Sequence, residues 1–199
     1  MKIKIKKQGK TKDFNLINKW EDVTMEKWLQ IEGYHDGTKS KEAQETIAAL
    51  SNIPKDLINQ LELKDVAKIM AKLSEVQAST NSSLKRLVEI KGVRYGFHPN
   101  LDEITLGEYA DIETMIKNGL DKNLPELMAI LYRPIIEENN DVYTIEAYDG
   151  NISIRAEEMK QMAAEQVQSA LRFFFALGRE FLMILPSSLM EQLKEMRTQ

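Results

Sequence analysis

A short motif occurs twice in this chain, and no other feature of the sequence constrains the fold as strongly. The first copy is Glu21-Asp-Val-Thr-Met-Glu-Lys-Trp-Leu-Gln-Ile31, and the second is Asp102-Glu-Ile-Thr-Leu-Gly-Glu-Tyr-Ala-Asp-Ile112. Both copies open with two acids, carry a threonine at the same place and continue with apolar residues at matching positions. We interpret the pair as an internal duplication.

Each copy predicts the beginning of a helix. Thr24 and Thr105 stand where an N-cap is expected, since a threonine hydroxyl can accept a backbone N–H of the first turn. Glu108 follows Thr105 by three positions, which predicts a capping box. The first copy has Lys27 at that place. We therefore expect the Thr24 hydroxyl to cap the helix there without a side chain that returns the hydrogen bond.

The apolar positions of each copy fall on one helical face. They are Met25, Trp28 and Ile31 in the first copy and Leu106, Tyr109 and Ile112 in the second. A periodic apolar stripe is typical of a helix that packs on a core. The alternative is a binding motif that the chain presents twice.

The same sequence offset aligns other parts of the two halves. It places Phe97 over Leu16 and Leu131 over Leu50. Each half then consists of a hairpin, a capped helix, a loop and a second helix. The small polar stretch 78–83 is the best internal boundary, which gives an N-terminal unit 1–80 and a C-terminal unit 81–199. Whether the two units pack as one domain stays open.

The N-terminus predicts a basic β-hairpin. Residues 2–7 alternate Lys and Ile, the period of a strand with one apolar face, and Gln8-Gly9-Lys10 is a turn signal. The lysines suit either a nucleic-acid anchor or a solvated strand face that protects a sheet edge. Aromatic residues do not interleave them as stacking platforms would, which favours the solvated face.

Further elements follow from local patterns. A helix that opens at Asp65 has an amphipathic stripe of Val66, Ile69, Met70, Leu73 and Val76. Lys91-Gly92 predicts a second hairpin, and Asp149-Gly150-Asn151 predicts a third one between strands 142–148 and 152–155. A long apolar helix is expected from about Ala156 to Leu185. The predicted fold class is α+β, predominantly helical, with two pseudo-repeated hairpin-plus-helices units and a long C-terminal helix.

Composition excludes several classes of protein. The net charge is -4, which disfavours nucleic acid as a partner of the whole chain, and the absence of cysteine removes disulfides and thiolate metal sites. The apolar run near Phe173–Leu185 is too charged to span a bilayer, so no membrane partner is expected. His35 and His98 are the only histidines, and no nucleophile–base set or phosphate loop is present. We therefore predict no catalytic, cofactor-binding or metal-binding residues and no enzyme.

One stretch is similar to a known family. A basic hairpin precedes Trp20-Glu-Asp-Val-Thr24, and Leu50-Ser-Asn-Ile-Pro54 leads into Asp56-Leu57 and the helix that opens at Asp65. Over roughly residues 14–78 this pattern resembles the tail assembly chaperones of tailed phages. Those proteins carry a Leu-Thr-Gly-Ile-Pro-like turn, so Ser-Asn replaces Thr-Gly here.

The resemblance implies a non-enzymatic, mostly helical protein without a cofactor. It would bind a phage structural protein, typically the tape measure, in the host cytoplasm until the tail tube polymerises. Apolar helix faces would contact that partner. The candidate partner-binding residues are Ile69, Met70, Leu73, Phe174, Phe175 and Phe181, each of which could instead fill the core.

Two other functions stay open at this point. One is a structural subunit retained in the virion, such as a neck, ring or baseplate protein. The other is a nucleic-acid-binding module that uses the basic hairpin. The identity of the partner and the oligomeric state do not follow from the sequence.

Overall fold

Two antiparallel sheets and a larger set of helices make up the chain, so the predicted α+β, predominantly helical class is confirmed. The computed structural model describes residues 2–7, 10–33, 37–78, 83–139 and 142–174. Everything below concerns these residues. The end of the predicted C-terminal helix, from 175 to about 185, lies outside them.

The N-terminal half begins with a hairpin and continues with helices. Its elements are β1 (Lys2–Lys7), β2 (Lys10–Asn15), α1 (Met25–Glu32), α2 (Lys39–Leu50), α3 (Lys55–Ile58) and α4 (Leu63–Ala78). A 3-10 turn, Trp20–Asp22, precedes α1. The two strands pair in antiparallel fashion, and the alternation buries Ile3 and Ile5 while Lys2 and Lys4 face the solvent.

The C-terminal half contains a four-stranded antiparallel sheet in the order β3-β4-β5-β6. Its elements are β3 (Leu87–Ile90), β4 (Val93–Phe97), α5 (Leu106–Lys117), α6 (Leu124–Leu131), β5 (Tyr132–Asn139), β6 (Val142–Ile145), α7 (Ile152–Met159) and α8, described over 164–174. A 3-10 turn, Leu101–Glu103, precedes α5 as the equivalent turn precedes α1. The hairpin predicted at Lys91-Gly92 is present, with φ of 51° and 80° at these two positions.

Two hydrophobic clusters form the interior. The N-terminal cluster joins the β1–β2 hairpin to α2 and α4 through residues such as Ile5, Ile47 and Ile69. The C-terminal cluster lies under the four-stranded sheet and includes most of α6. Helix α1 connects them, because Met25 belongs to the C-terminal cluster while Trp28 packs against both.

Equivalent backbone contacts recur in the two halves. The N–H of Ile17 donates to the carbonyl of Leu50 at 3.0 Å, and the N–H of His98 donates to the carbonyl of Leu131 at 2.7 Å. Likewise the isolated bridge Leu16↔Ser51 corresponds to the β4–β5 pair Phe97↔Tyr132. These pairs are related by the offset that relates Thr24 to Thr105, which supports the interpretation of a duplication.

Position 96 of β4 requires glycine because the ring of Tyr143 packs closely against it. A Cβ at this position would lie 2.4 Å from a ring carbon of Tyr143. That tyrosine reaches across from β6 and donates its hydroxyl to the carbonyl of Phe97 at 2.6 Å. The glycine therefore lets a side chain of the edge strand β6 fasten the sheet across β5.

Two local predictions are wrong. The third hairpin lies earlier than Asp149-Gly150-Asn151, because β6 pairs with β5, and residues 152–159 are helical. The predicted single helix from Ala156 is also interrupted at 160–163, between α7 and α8. The backbone of this break bonds to α1, so a tertiary contact replaces the helical hydrogen bonds there.

Candidate partner-binding surface

Helix α5 begins on a capping box anchored by a buried acid. Thr105 is the N-cap, and its hydroxyl accepts the N–H of Glu108. The Glu108 carboxylate in return accepts the Thr105 N–H at 2.7 Å and the Thr105 hydroxyl at 2.6 Å. Glu108 is only 1 % exposed, so this box both begins the helix and holds it against the body of the protein.

A buried cation balances the charge of Glu108. Arg133 of β5 places Nη2 at 2.8 Å from Oε1 of Glu108, and Nε2 of His98 lies at 3.6 Å from the same oxygen. Burial tends to raise the pKa of Glu108, but the hydrogen bonds from Thr105 and the charge of Arg133 leave it below its ordinary value. Burial lowers the pKa of His98. The carboxylate therefore stays charged and the imidazole stays neutral near neutral pH.

Tyr148 fastens the chain after β6 to the side of α5. Its hydroxyl donates to a carboxylate oxygen of Asp111, and burial together with this bond raises its pKa. The guanidinium carbon of Arg133 lies 5.9 Å from the centre of the Tyr148 ring, a cation–π contact. These contacts position α5 rigidly and fix which face it turns outward.

The outward face of α5 exposes three large apolar side chains beside the charged Glu113 and Lys117. Leu106 is 83 % exposed, Ile116 is 43 % exposed and Tyr109 is 37 % exposed. Their spacing of three and then seven residues places them along one flank of the helix, next to the buried Ile112, while the buried Glu108 and Met115 lie further round toward the interior. Aligned exposed apolar side chains of this kind are a mark of interaction sites.

The first copy of the motif buries the residue equivalent to Leu106. Met25, the counterpart of Leu106, has no exposed surface. Its N–H donates to the carbonyl of Met162 at 2.7 Å, the N–H of Glu26 donates to that of Lys160 at 3.0 Å, and Ala164 returns a 2.7 Å bond to Val23. Residues 160–164 of the same chain thus cover the start of the first copy's helix, whereas the start of the second copy's helix, at Leu106, is open to the solvent.

Three of the sequence-predicted partner-binding residues lie on α4, and the structure separates them. Ile69 and Leu73 are buried in the N-terminal cluster, so other parts of the same chain cover them in this fold. Their side chains hold α4 against α2 and the hairpin. Met70 is half-buried at the margin of the same cluster.

The other candidate residues belong to α8 and the chain that follows. Phe174 is half-buried against the C-terminal cluster. Phe175 and Phe181 lie outside the described residues. The structure therefore brings none of the six residues together on an open surface within the part it describes.

The repeated cap residues have different surroundings in the two copies. Thr24 is the N-cap of α1, and its side chain accepts the N–H of Lys27 without an acid to return the bond. Trp28 is half-buried and donates its indole N–H to Glu32 at 3.1 Å. Tyr109 is exposed. The sequence motif identified both helices but gave no sign that only one of their faces would be covered.

The basic hairpin carries a mixed charge in its described part. Lys2, Lys4 and Lys12 are exposed, and Lys4 stands directly opposite Asp13 in the register of β1 and β2. An acid opposite a lysine reduces the positive field that a phosphate backbone would meet.

Neither a metal site nor a membrane-spanning helix is present among the residues that the structure describes. Among them no group of histidine, aspartate and glutamate could hold a metal ion. In the same part of the chain, no helix combines the length and apolar character needed to cross a membrane.

Comparison with known proteins gives no family for this chain. No family model, no curated protein and no solved structure matches it. The arrangement of its own residues is therefore the basis for a functional proposal.

Proposed function

We propose that this chain is a non-enzymatic assembly protein of the tail-assembly-chaperone type, which holds a phage structural protein through the exposed face of α5. The observation that carries the proposal is the difference between the two copies of the motif. Met25 is fully buried against another segment, and Leu106 at the equivalent position is 83 % exposed. A leucine that stays exposed at a position the fold covers in the other copy is available for docking a partner.

The chemistry of the surface suits an apolar helical partner. Leu106, Tyr109 and Ile116 form the anchors, since a helix that docks on another surface does so through residues at helical spacing. Glu113 and Lys117 lie beside them and form an ion pair at 3.0 Å, which provides a polar rim. The buried Glu108–Arg133 pair keeps the helix in place, so the surface needs no rearrangement before it binds.

The test compares two leucines of similar exposure. Leu106→Asp places a charge on the proposed surface, and Leu63→Asp does the same at the start of α4, where the leucine is 86 % exposed. In infected cells that carry each variant, Leu106→Asp should lower the yield of tailed particles by about tenfold, as a loss of about 1.4 kcal/mol of binding would. Leu63→Asp should leave the yield near the wild-type value.

Both variant proteins should unfold at the wild-type temperature, because neither leucine contributes to the core. Equal yields for the two variants, counted by electron microscopy, would contradict the role of α5. Mass spectrometry of purified particles and of lysate then separates the two assembly functions. A chaperone is abundant in lysate and missing from particles, whereas a neck, ring or baseplate subunit is present in particles at a fixed copy number.

A further inference from the structure

A groove runs along the free edge of strand β3. It has a volume of about 460 Å³, within the range of natural ligand pockets. One wall is β3 itself and the other is the segment that contains Gln161, Met162 and Gln166, while Glu21 and Lys85 also line it. None of these residues belongs to the exposed face of α5, so the groove is a separate feature.

The register of the sheet shows which backbone groups face this groove. The N–H of Phe97 donates to the carbonyl of Arg86, so the backbone groups of Arg86 point toward β4. Backbone groups alternate in direction along an antiparallel strand, so those of Val88 and Ile90 also point toward β4. Leu87 and Glu89 therefore direct their N–H and C=O groups outward. Among the described residues these outward groups have no partner, which is the condition of an edge open to another strand.

A buried side chain in the groove also lacks a partner. Gln166 is 5 % exposed, and its Oε1 accepts no hydrogen bond from any residue that the structure describes. A buried amide oxygen without a donor destabilises the free protein. An N–H group supplied by an occupant of the groove would satisfy it.

We propose that the groove binds an extended peptide segment of another protein, which adds a strand to the edge of β3. The outward groups of Leu87 and Glu89 would pair with its backbone, and Gln166 would accept one of its N–H groups. β3 is four residues long and spans about 13 Å, so the bound stretch is four or five residues. The exposed acids Glu21 and Glu89 outnumber Lys85, so the favoured peptide carries a basic side chain.

The second wall of the groove explains why the occupant is a single strand. Residues 161–166 stand alongside the edge, and Met162 is fixed by the bond from Met25. A wall at this place limits how many strands can be added beyond β3, which favours a single peptide strand over the much wider four-stranded sheet of a second copy. The proposal depends on neither the α5 surface nor a phage origin.

Hydrogen exchange of the full chain tests the proposal residue by residue. The probe is a nine-residue peptide of alternating valine and threonine with lysine at both ends, and the control peptide has glutamate at the ends. The lysine peptide should slow exchange at the amides of Leu87 and Glu89. The amides of Val88 and Ile90 face β4, are bonded already and should change little, so each spectrum contains its own control.

Three variants separate binding from folding. Leu87→Pro removes an outward N–H that the β3–β4 ladder does not use, and Leu87→Ala keeps it. Peptide binding, followed by fluorescence anisotropy, should be lost in the first and retained in the second. Gln166→Leu should weaken peptide binding several-fold while the protein stays at least as stable as the wild type, because an unsatisfied buried acceptor has been removed.

Three outcomes would overturn the proposal. The first is an absence of slowed exchange at Leu87 and Glu89 with the lysine peptide at millimolar concentration. The second is equal binding by wild type and Gln166→Leu, which would show that the buried amide does not face the occupant. The third is protection of Leu87 and Glu89 that rises with protein concentration and without peptide, which would identify a second copy as the occupant.

Discussion

His98 and Glu108 are ionisable groups held in the interior beside Arg133, and both have a pKa below the ordinary value. A lowered folded-state pKa means that the unfolded chain binds the proton first as the pH falls. Neutral His98 therefore contributes stability that is fully present above about pH 6.5 and is lost as the pH falls toward its folded pKa. Ionised Glu108 contributes in the same direction, starting near pH 4.5.

We expect the free energy of unfolding to decrease as the pH falls below about 6.5 because of His98. One proton gives a slope of at most about 1.4 kcal/mol per pH unit. Urea denaturation at a series of pH values measures it. His98→Gln should flatten this slope, and His35→Gln, which changes the other histidine of the chain, should keep it. An unchanged slope in His98→Gln would show that His98 does not titrate on unfolding in this range.

The N-cap threonines of α1 and α5 make different numbers of hydrogen bonds. Thr24 makes one long contact, at 3.4 Å, near the surface. Thr105 makes three hydrogen bonds with Glu108, which is also the acid that pairs with Arg133. The cap of α5 is thus part of the interior, while the cap of α1 is a surface feature.

Thr105→Ala should lower the free energy of unfolding by about 2 kcal/mol, and Thr24→Ala by about 0.5 kcal/mol. The larger loss arises because Glu108 would keep its buried charge with one donor fewer. Denaturation curves of the two variants measure both losses under the same conditions. Equal losses would mean that the hydrogen bond from the Thr105 hydroxyl does not stabilise the buried carboxylate of Glu108.

Sequence patterns predicted the elements whose signals are local. The hairpin at residues 2–15, the stripe of α4 and both threonine caps follow from periodicity and spacing. The helix at 152–159 was missed, because Asp149-Gly150-Asn151 is a strong turn signal and Ile152 and Ile154 alternate like a strand. The break at 160–163 has no proline or glycine to mark it. It exists because carbonyls of Lys160 and Met162 accept bonds from the start of α1.

The candidate surface could be predicted only in part. The motif located Leu106 and Tyr109 on a helical face, and the same reasoning applied to Met25 and Trp28. Residues 160–164 decide which copy is covered, and they lie far away in sequence. A local pattern therefore cannot predict which of the two helices is exposed. Ile69 and Leu73 show the opposite case, in which residues predicted to bind a partner lie in the core. An amphipathic stripe has the same sequence pattern whether a partner or the core covers it.

At the scale of the whole molecule, the two hydrophobic clusters are joined through α1 and residues 160–164. Met25 lies in the C-terminal cluster although its helix belongs to the N-terminal half, and Ala164 lies in the N-terminal cluster although it begins α8. Each half therefore completes the interior of the other. We infer that the described residues unfold cooperatively.

Met25→Ala should lower the free energy of unfolding by about 2–5 kcal/mol, because it opens a cavity at a fully buried position. Leu106→Ala at the equivalent position of the second copy should change it by no more than about 0.5 kcal/mol. Hydrogen exchange should accelerate in both halves of Met25→Ala. Acceleration limited to α1 and α2 would contradict the cooperative coupling.

The contribution of Ala164 to the N-terminal cluster has a consequence for synthesis of the chain on the ribosome. Translation delivers the hairpin, α1, α2 and α4 long before it delivers residues 160–164, which bond to Val23, Met25 and Glu26. The nascent N-terminal half must therefore wait, with part of its apolar surface uncovered, until most of the chain has emerged. We therefore expect folding to be completed late in translation, once residues 160–164 have emerged, and not one half at a time.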